Sequence, residues 1–394
     1  MGMRNFLQTV FVIGLLLGSF SKIFSQSVWT PQVSGTTNNL QSVTWTGSLL
    51  YTVGDGGTFV LSSNGVSWAS GIAGTTNPLY SVTSTSNQVV CVGALGTIRV
   101  SLNGMPWTAP NSGTTSSLSS VVWTGSQLIA TGANSTIATS YNGITWSAGS
   151  LGTTDALNSI IWAGGQFVVV GTNATTLMGI AYTSANGVNW FGGSLGTSPL
   201  YSVTSTGSQL VAVGASGTIL TSTNGSTWYS QFSGTTNNLI EVIWSGRQLV
   251  AMGSGGTVLT SPNGVNWTVQ NLGLTTIYSV IWTGTQFVAV GASGTILTSP
   301  EVINTAISLN SIPKNDLNIQ LTSSHISAIL PNSFLGKKSI VKIYTIFGVV
   351  TEQIQVLDTK NEIRIPIENM AKGRYLLEVK NLNVKLVKSF NISP

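Results

Sequence analysis

Any chemistry in the first three hundred residues of this 394-residue chain has to come from very few groups. Between residues 26 and 300 the only charged side chains are Asp55, Arg99, Asp155, Glu241 and Arg247, and the whole chain holds one histidine, His325, and one cysteine, Cys91. A pair of carboxylates for glycoside hydrolysis would have to be drawn from Asp55, Asp155 and Glu241. Asp55 stands in a G-x-x-G turn, Asp155 in a crossover between repeats and Glu241 in a first strand, with Asp155 and Glu241 two repeats apart. One cysteine and one histidine make neither a thiol–imidazole pair nor a metal cluster, and calcium would need clustered carboxylates. The G-x-x-G-T turns lack the G-K-[ST] ending of a phosphate loop and open no helix. The reading therefore assigns no catalytic residue, no metal and no cofactor.

Tryptophan is the more informative residue. Trp45, Trp123, Trp162, Trp244 and Trp282 stand in S-V-x-W, just before a turn, and Ser84 and Ser205 take that place in two further units. Aromatic faces beside Thr, Ser, Asn and Gln suit sugar rings, which stack their apolar faces and hydrogen-bond their hydroxyls. These five are the candidate ligand-binding residues. The competing expectation is packing between repeats, because each Trp shares a strand face with a buried Val.

The elements that position them repeat. The unit reads roughly L-x-S-V-x-W-T-G-x-Q-L-V-A-V-G-x-x-G-T-I-L-T-S-x-N-G-x-x-W, and its closing tryptophans are Trp29, Trp68, Trp107, Trp146, Trp190, Trp228 and Trp267, spaced by 39, 39, 39, 44, 38 and 39 residues. Alternation in steps of two, β-branched residues and regular glycines predict four short strands per unit. Asn-Gly suits a tight hairpin, since both residues tolerate positive φ. Four strands in about 39 residues is a propeller blade. The seventh unit stops at Ser299-Pro300 without its N-G-x-x-W strand, and Val28-Trp29-Thr30 supplies it. The reading is thus a closed seven-bladed β-propeller, all-β, whose N-terminal strand completes the last blade and removes the open edges. The longest gap comes from an expanded turn at residues 171–179, a candidate contact surface.

The two ends differ from the repeats. Residues 1–25 read as a secretory signal peptide, with Arg4 ahead of an apolar stretch too short for a comfortable membrane span. Cys91 lies in an apolar strand and reads as a small buried hydrophobe. From residue 301 onward there are eleven Lys or Arg and seven Asp or Glu, so the net charge of +5 belongs to the ends and not to the ring. A ring with two arginines and no lysine cannot track phosphates, which excludes nucleic acid.

The S-x-N-G-x-x-W turn resembles the Asp-box turns of sialidase-like propellers, with Asn in place of Asp, and V-A-V-G-x-x-G-T-I-L-T-S-x-N-G-x-x-W is similar to photosystem assembly-factor propellers. The likeness covers residues 29–299 and implies fold only. The arginine triad of sialidases is missing, since Arg99 and Arg247 are the only arginines of the repeats, and the positive patch of the assembly factors is missing too. In the tail, Val341-Lys342-Ile343-Tyr344 with Phe347-Gly348-Val349-Val350, then Ile363-Arg364-Ile365-Pro366-Ile367 and Ala371-Lys372-Gly373-Arg374-Tyr375-Leu376-Leu377-Glu378-Val379, resemble the type A sorting domain of the type IX (Por) secretion system of Bacteroidetes-type bacteria. Its usual opening Asn-Pro is replaced by Pro313-Lys314-Asn315-Asp316. That resemblance implies passage through the outer membrane, with this domain then removed or its protein anchored at the surface.

The expected organisation is a signal peptide at 1–25, a propeller at 26–300, a linker at 301–312 and a small antiparallel β-sandwich sorting domain at 313–394. The expected function is a secreted or cell-surface, non-enzymatic binding and adhesion module of a Gram-negative bacterium, with carbohydrate the favoured ligand and a surface protein the other. It is expected to engage the type IX machinery through 313–394, to carry no transmembrane segment after signal cleavage and to be monomeric. The alternatives are a polysaccharide-degrading hydrolase or lyase using Asp155 or Glu241, and a structural surface protein.

Overall fold

The computed structural model describes residues 29–300 except 103 and 274, and in the C-terminal region residues 318–321, 325–329, 338–345, 350–357, 362–366, 370, 373–380 and 385–392. The signal-peptide and linker expectations lie outside the described residues. The chain divides into two compact units at residues 303 and 304.

The first unit is the seven-bladed propeller. The first strands of blades one to seven are Leu40–Trp45, Leu79–Ser84, Leu118–Trp123, Ala156–Trp162, Leu200–Ser205, Leu239–Trp244 and Ile277–Trp282. Each touches the first strand of the blade on either side, and blade seven touches blade one, so the seven form a closed inner cylinder around the axis. Apolar residues alternate toward the gaps between blades. Between blades seven and one, for instance, Val288, Val290 and Ile296 meet Leu40, Val43, Leu50 and Val60, all buried. Full burial of one such side chain contributes about 1.5–3 kcal/mol, and every interface holds several.

Local rules explain the spacing. The second strand ends in glycine in six blades, and in blade four Gly171 stands one residue before its end, because the crossover that enters the blade runs over this position. A Cβ on Gly54 would lie 1.9 Å from the Asn39 carbonyl oxygen, and one on Gly253 would lie 1.9 Å from that of Asn238. The S-x-N-G-x-x-W turn works differently from the sequence expectation. Gly225 has a φ of +77°, but Asn224 does not adopt positive φ. Instead Asn224 Oδ1 accepts the Ser226 and Thr227 amides at 2.9 Å each, and Ser222 Oγ accepts Gly225 N at 2.9 Å. Asn is there as a side-chain acceptor that mimics backbone. Trp228 Nε1 then closes the turn on the Gly225 carbonyl at 3.0 Å.

Closure follows the expected route. Thr30–Gln32 is the outer strand of blade seven, pairing Thr30 with Thr298, Pro31 with Leu297 and Gln32 with Ile296. Pro31 is tolerated because this is an edge strand. The seam carries a mark. In blades one, three, five and six the S-x-N-G turn carbonyls serve two donors: the Trp indole of their own blade, and a Gln of the preceding blade, as in Gln209 Nε2 to Asn263 O at 2.8 Å. Blade seven has no such sequence, and the corresponding atoms, Trp29 Nε1 and Gln248 Nε2, are buried without a partner among the described residues.

Blade two departs from four full strands. Its sheet has three, and the fourth is reduced to one bridge, Val100 to Thr108. Pro106 and Pro110 bracket Thr108, and neither has an N–H to offer a ladder. The C-terminal unit is a small β-sandwich with an antiparallel three-stranded sheet (Asn318–Leu321, His325–Ile329, Glu362–Pro366) and an antiparallel four-stranded sheet (Val350–Leu357, Lys338–Thr345, Gly373–Lys380, Lys385–Ile392). Its buried residues alternate along the strands, as in Ile326 and Ala328, Val341 and Ile343, and Tyr375, Leu377 and Val379.

Candidate functional site

The hairpins after the first and third strands lie on one face of the ring, here the turn face. The G-x-x-G turns and the crossovers between blades lie on the other, the crossover face. The five predicted tryptophans end first strands at the turn face, and all are half-buried. Each packs into an inter-blade core. Trp123 joins the buried Trp146 between blades two and three, and Trp45 joins Trp68 beside Val43. Trp244 packs with Trp267. Trp162 lies 4.5 Å from Phe167 and Trp282 lies 4.6 Å from Phe287, centroid to centroid. Four glutamines of this face are already engaged: Gln88, Gln166, Gln209 and Gln286 each donate to a turn carbonyl of the next blade.

The charged residues are scattered. Arg99 donates to the carbonyls of Ala73, Ile98 and Gly74 at 2.9–3.0 Å, tying blade two to the crossover before it. Asp55 accepts from Asn39 Nδ2 at 2.8 Å and Gln41 Nε2 at 3.0 Å. Asp155 is buried and pins the expanded turn of blade four. Its Oδ1 accepts Asn173 Nδ2 at 2.9 Å and Ala174 N at 3.2 Å, and its Oδ2 accepts the Tyr182 hydroxyl at 3.1 Å. Burial and, after it, that bond to Asp155 push the Tyr182 hydroxyl pKa up. The tip of this turn leaves Leu177 and Met178 exposed. Burial also drives the Cys91 thiol far above its ordinary range, which keeps it unreactive. No three His, Cys, Asp or Glu side chains come together among the described residues.

What the tryptophans and carboxylates do not build, the inner cylinder does. The third residue of L-x-S-V is Ser42, Ser81, Ser120, Ser159, Ser202, Glu241 and Ser279 around the ring. Most of these serines fasten one blade to the next. Val82 N, Val121 N, Ile160 N and Val242 N donate to Ser42, Ser81, Ser120 and Ser202 Oγ at 3.2 Å, and Val43 N donates to Ser279 Oγ at 3.4 Å. Glu241 breaks the column. Its carboxyl turns back to blade five, where Ser202 Oγ donates to Oε1 at 3.1 Å. The residue is half-buried on the inner cylinder. Desolvation by the surrounding strands, only partly offset by the Ser202 bond, pushes the carboxyl pKa up to about 8.

A stability consequence follows. The unfolded chain releases this proton near the ordinary Glu value while the folded chain holds it to about 8. The folded state therefore binds more protons between those limits, and stability falls as pH rises through that window and levels above it. Glu241→Gln is expected to remove this slope, melting above wild type at pH 8 and level with it at pH 4. Parallel melting curves of the two proteins from pH 4 to 9 would rule the effect out.

One position earlier in the same strands, at a bulge in the ladder, stand Gln41, Tyr80, Ser119, Asn158, Tyr201, Ile240 and Tyr278. This position faces the crossover rim. Gln41 reaches Asp55 in the G-x-x-G turn, and Asn158 Nδ2 reaches the Leu200 carbonyl of the next blade at 2.8 Å. Tyr80, Tyr201 and Tyr278 are half-buried there, and none of their hydroxyls bonds a described residue. Sequence reasoning passed over this ring of side chains, although the variable x of L-x-S-V was its visible signal.

Comparison with known proteins places both units. Residues 313–393 match the family described as the secretion system C-terminal sorting domain. The tail is a sorting domain. It marks a protein exported by type IX secretion, secreted or held at the surface of a Gram-negative bacterium, and it engages that secretion machinery. No curated protein matches the chain. Among solved structures the ring is similar to YCF48 bound to D1 peptide, with a TM-score of 0.60 and 15% identity over 72% of this chain and 99% of that one. It is also similar to YCF48 from Cyanidioschyzon merolae (0.56, 13%, 70% and 99%) and to the WD40 β-propeller domain of Doa1 (0.57, 14%, 70% and 96%). These likenesses establish the fold alone.

Proposed function

We propose that this type IX-exported propeller is a non-enzymatic binding and adhesion module, and that its ligand is carbohydrate held on the crossover face at the mouth of the inner cylinder. The observation that carries this is the set of three tyrosines, Tyr80, Tyr201 and Tyr278, whose rings are half-open and whose hydroxyls bond no described residue. Aromatic faces with hydrogen-bonding tips in an uncharged polar setting fit sugar rings. A propeller of the same fold has been captured with a peptide, which supports ligand binding by the architecture and not the ligand class. The tryptophan rim, Trp45, Trp123, Trp162, Trp244 and Trp282, is the second surface, with four of its glutamines already engaged. On a glycan array the secreted protein is expected to bind, and Tyr201→Ala with Tyr278→Ala to lose at least ten-fold in affinity. Binding unchanged in that variant but lost in Trp162→Ala would move the site to the turn face. An array without binding, followed by capture of a defined surface protein, would replace the ligand class.

One observation favours the enzymatic alternative: a carboxyl that stays protonated near neutral pH is what a general acid requires. Glu241 is such a group. Against it, Asp155 already has both oxygens bonded within its own blade, and blade six is two blades away. Polysaccharide turnover that disappears in Glu241→Gln would establish the enzyme; its absence is expected.

A further inference from the structure

We infer that Glu241, with Tyr201 and Tyr278 on the two flanking blades, forms a subsite for a primary ammonium group, and that the carbohydrate recognised is an amino sugar with an unacylated amine. The inference rests on the carbohydrate reading above and assigns the chemistry of its centre. Around the inner cylinder six blades place serine where blade six places glutamate. The first strand of blade six, Leu239–Trp244, lies between Leu200–Ser205 and Ile277–Trp282, and these two carry the tyrosines directly before their column serines. Two aromatic rings and one carboxyl are thereby gathered on three adjacent strands, with Ile240 between the tyrosines.

Among the described residues the carboxyl has a hydrogen-bond donor in Ser202 Oγ and no cation. Arg99 is engaged by blade-two and crossover carbonyls, and Arg247 stands in the hairpin at the far end of the blade-six strand. Burying an unpaired carboxylate is unfavourable, and the group stays protonated instead. An arriving ammonium would supply the absent partner, donate to the free oxygen and let the proton leave to solvent. Tyrosine faces attract such a cation through their quadrupole, and their hydroxyls remain for the sugar. A neutral N-acetyl sugar can use the rings but cannot offset the carboxylate. The inferred specificity is therefore for the free amine over its acetylated form.

The test compares a β-1,4-linked glucosamine tetramer with its fully N-acetylated counterpart, by calorimetry at about pH 5.5, where both the sugar amines and the free Glu241 carboxyl hold their protons, in two buffers of different ionisation enthalpy. The secreted protein is expected to bind the free-amine tetramer at least ten-fold tighter and to release close to one proton per site. Glu241→Ser, which installs the residue of the other six blades, is expected to make the two affinities equal without weakening the acetylated ligand. Equal affinities in the wild type overturn the ammonium subsite and leave the carbohydrate reading standing, whereas binding of neither tetramer overturns both. As an independent readout, glucosamine alone is expected to lower the titration midpoint of the 13C-labelled Glu241 carboxyl, and an unmoved midpoint refutes the inference.

Discussion

Removal of residues 26–36 is expected to lower the melting temperature of the secreted protein by roughly 6–12 °C. The truncation strips the outer strand from blade seven, with its three ladder pairs and the Gln32 Nε2 to Thr298 Oγ1 bond at 2.9 Å. It also removes Trp29, which packs on the buried core of blades six and seven with its ring centroid 6.1 Å from that of Phe287. Loss of a buried tryptophan costs about 3–5 kcal/mol. Trp29 is half-buried, so the lower end of that range applies, and the melting shift is scaled from it. Trp29→Phe should recover most of the loss by keeping the ring on Phe287. Differential scanning calorimetry decides the matter: melting identical to the parent would mean that the N-terminal strand does not hold the ring shut.

The second large effect concerns delivery. Deleting residues 311–394 removes the sorting domain and is expected to strand the protein in the periplasm of a type IX-competent host. Because the chain divides into two compact units at residues 303 and 304, the truncated ring should melt as it does in the intact protein. Behind a signal peptide, the same residues fused to an unrelated fluorescent protein should carry it to the cell surface. Fractionation and surface protease accessibility read both outcomes. A truncated ring that still reaches the surface, together with a fusion that does not, would remove the assignment.

Much of this architecture was legible in the residues because a propeller writes its geometry seven times. Alternation, Asn-Gly turns and the missing strand after Ser299-Pro300 led directly to four-stranded blades closed by Trp29. The packing of Trp162 and Trp282 against Phe167 and Phe287 followed from their sharing a strand face with a buried Val or Ile. What stayed hidden depended on contacts between units that sequence periodicity does not order in space. The column of serines was visible as a repeat, but that Ser42 Oγ accepts the amide of Val82 depends on how far each blade is rotated from the next. The same column makes Glu241 conspicuous only once the inner cylinder is known. Tyr80, Tyr201 and Tyr278 sat at a position that looked variable, and a ladder bulge turns it toward the crossover rim. Asp155 looked like a candidate acid because its partners lie 18 to 27 residues downstream, Asn173 and Ala174 in the insertion that only blade four contains and Tyr182 in the strand after it.

The way blade seven is assembled also bears on how the molecule withstands force. Its third strand, Ile296–Pro300, is the one from which the chain leaves the ring toward the tail. That strand is flanked on one side by Gln286–Gly291 and on the other by Thr30–Gln32. Tension applied through the tail along the strand's own axis must therefore break two ladders in shear at the same moment, where an edge strand would peel open one bond at a time. The N-terminal strand then acts as a mechanical clasp, raising the force needed to pull the last blade open from its C-terminal side.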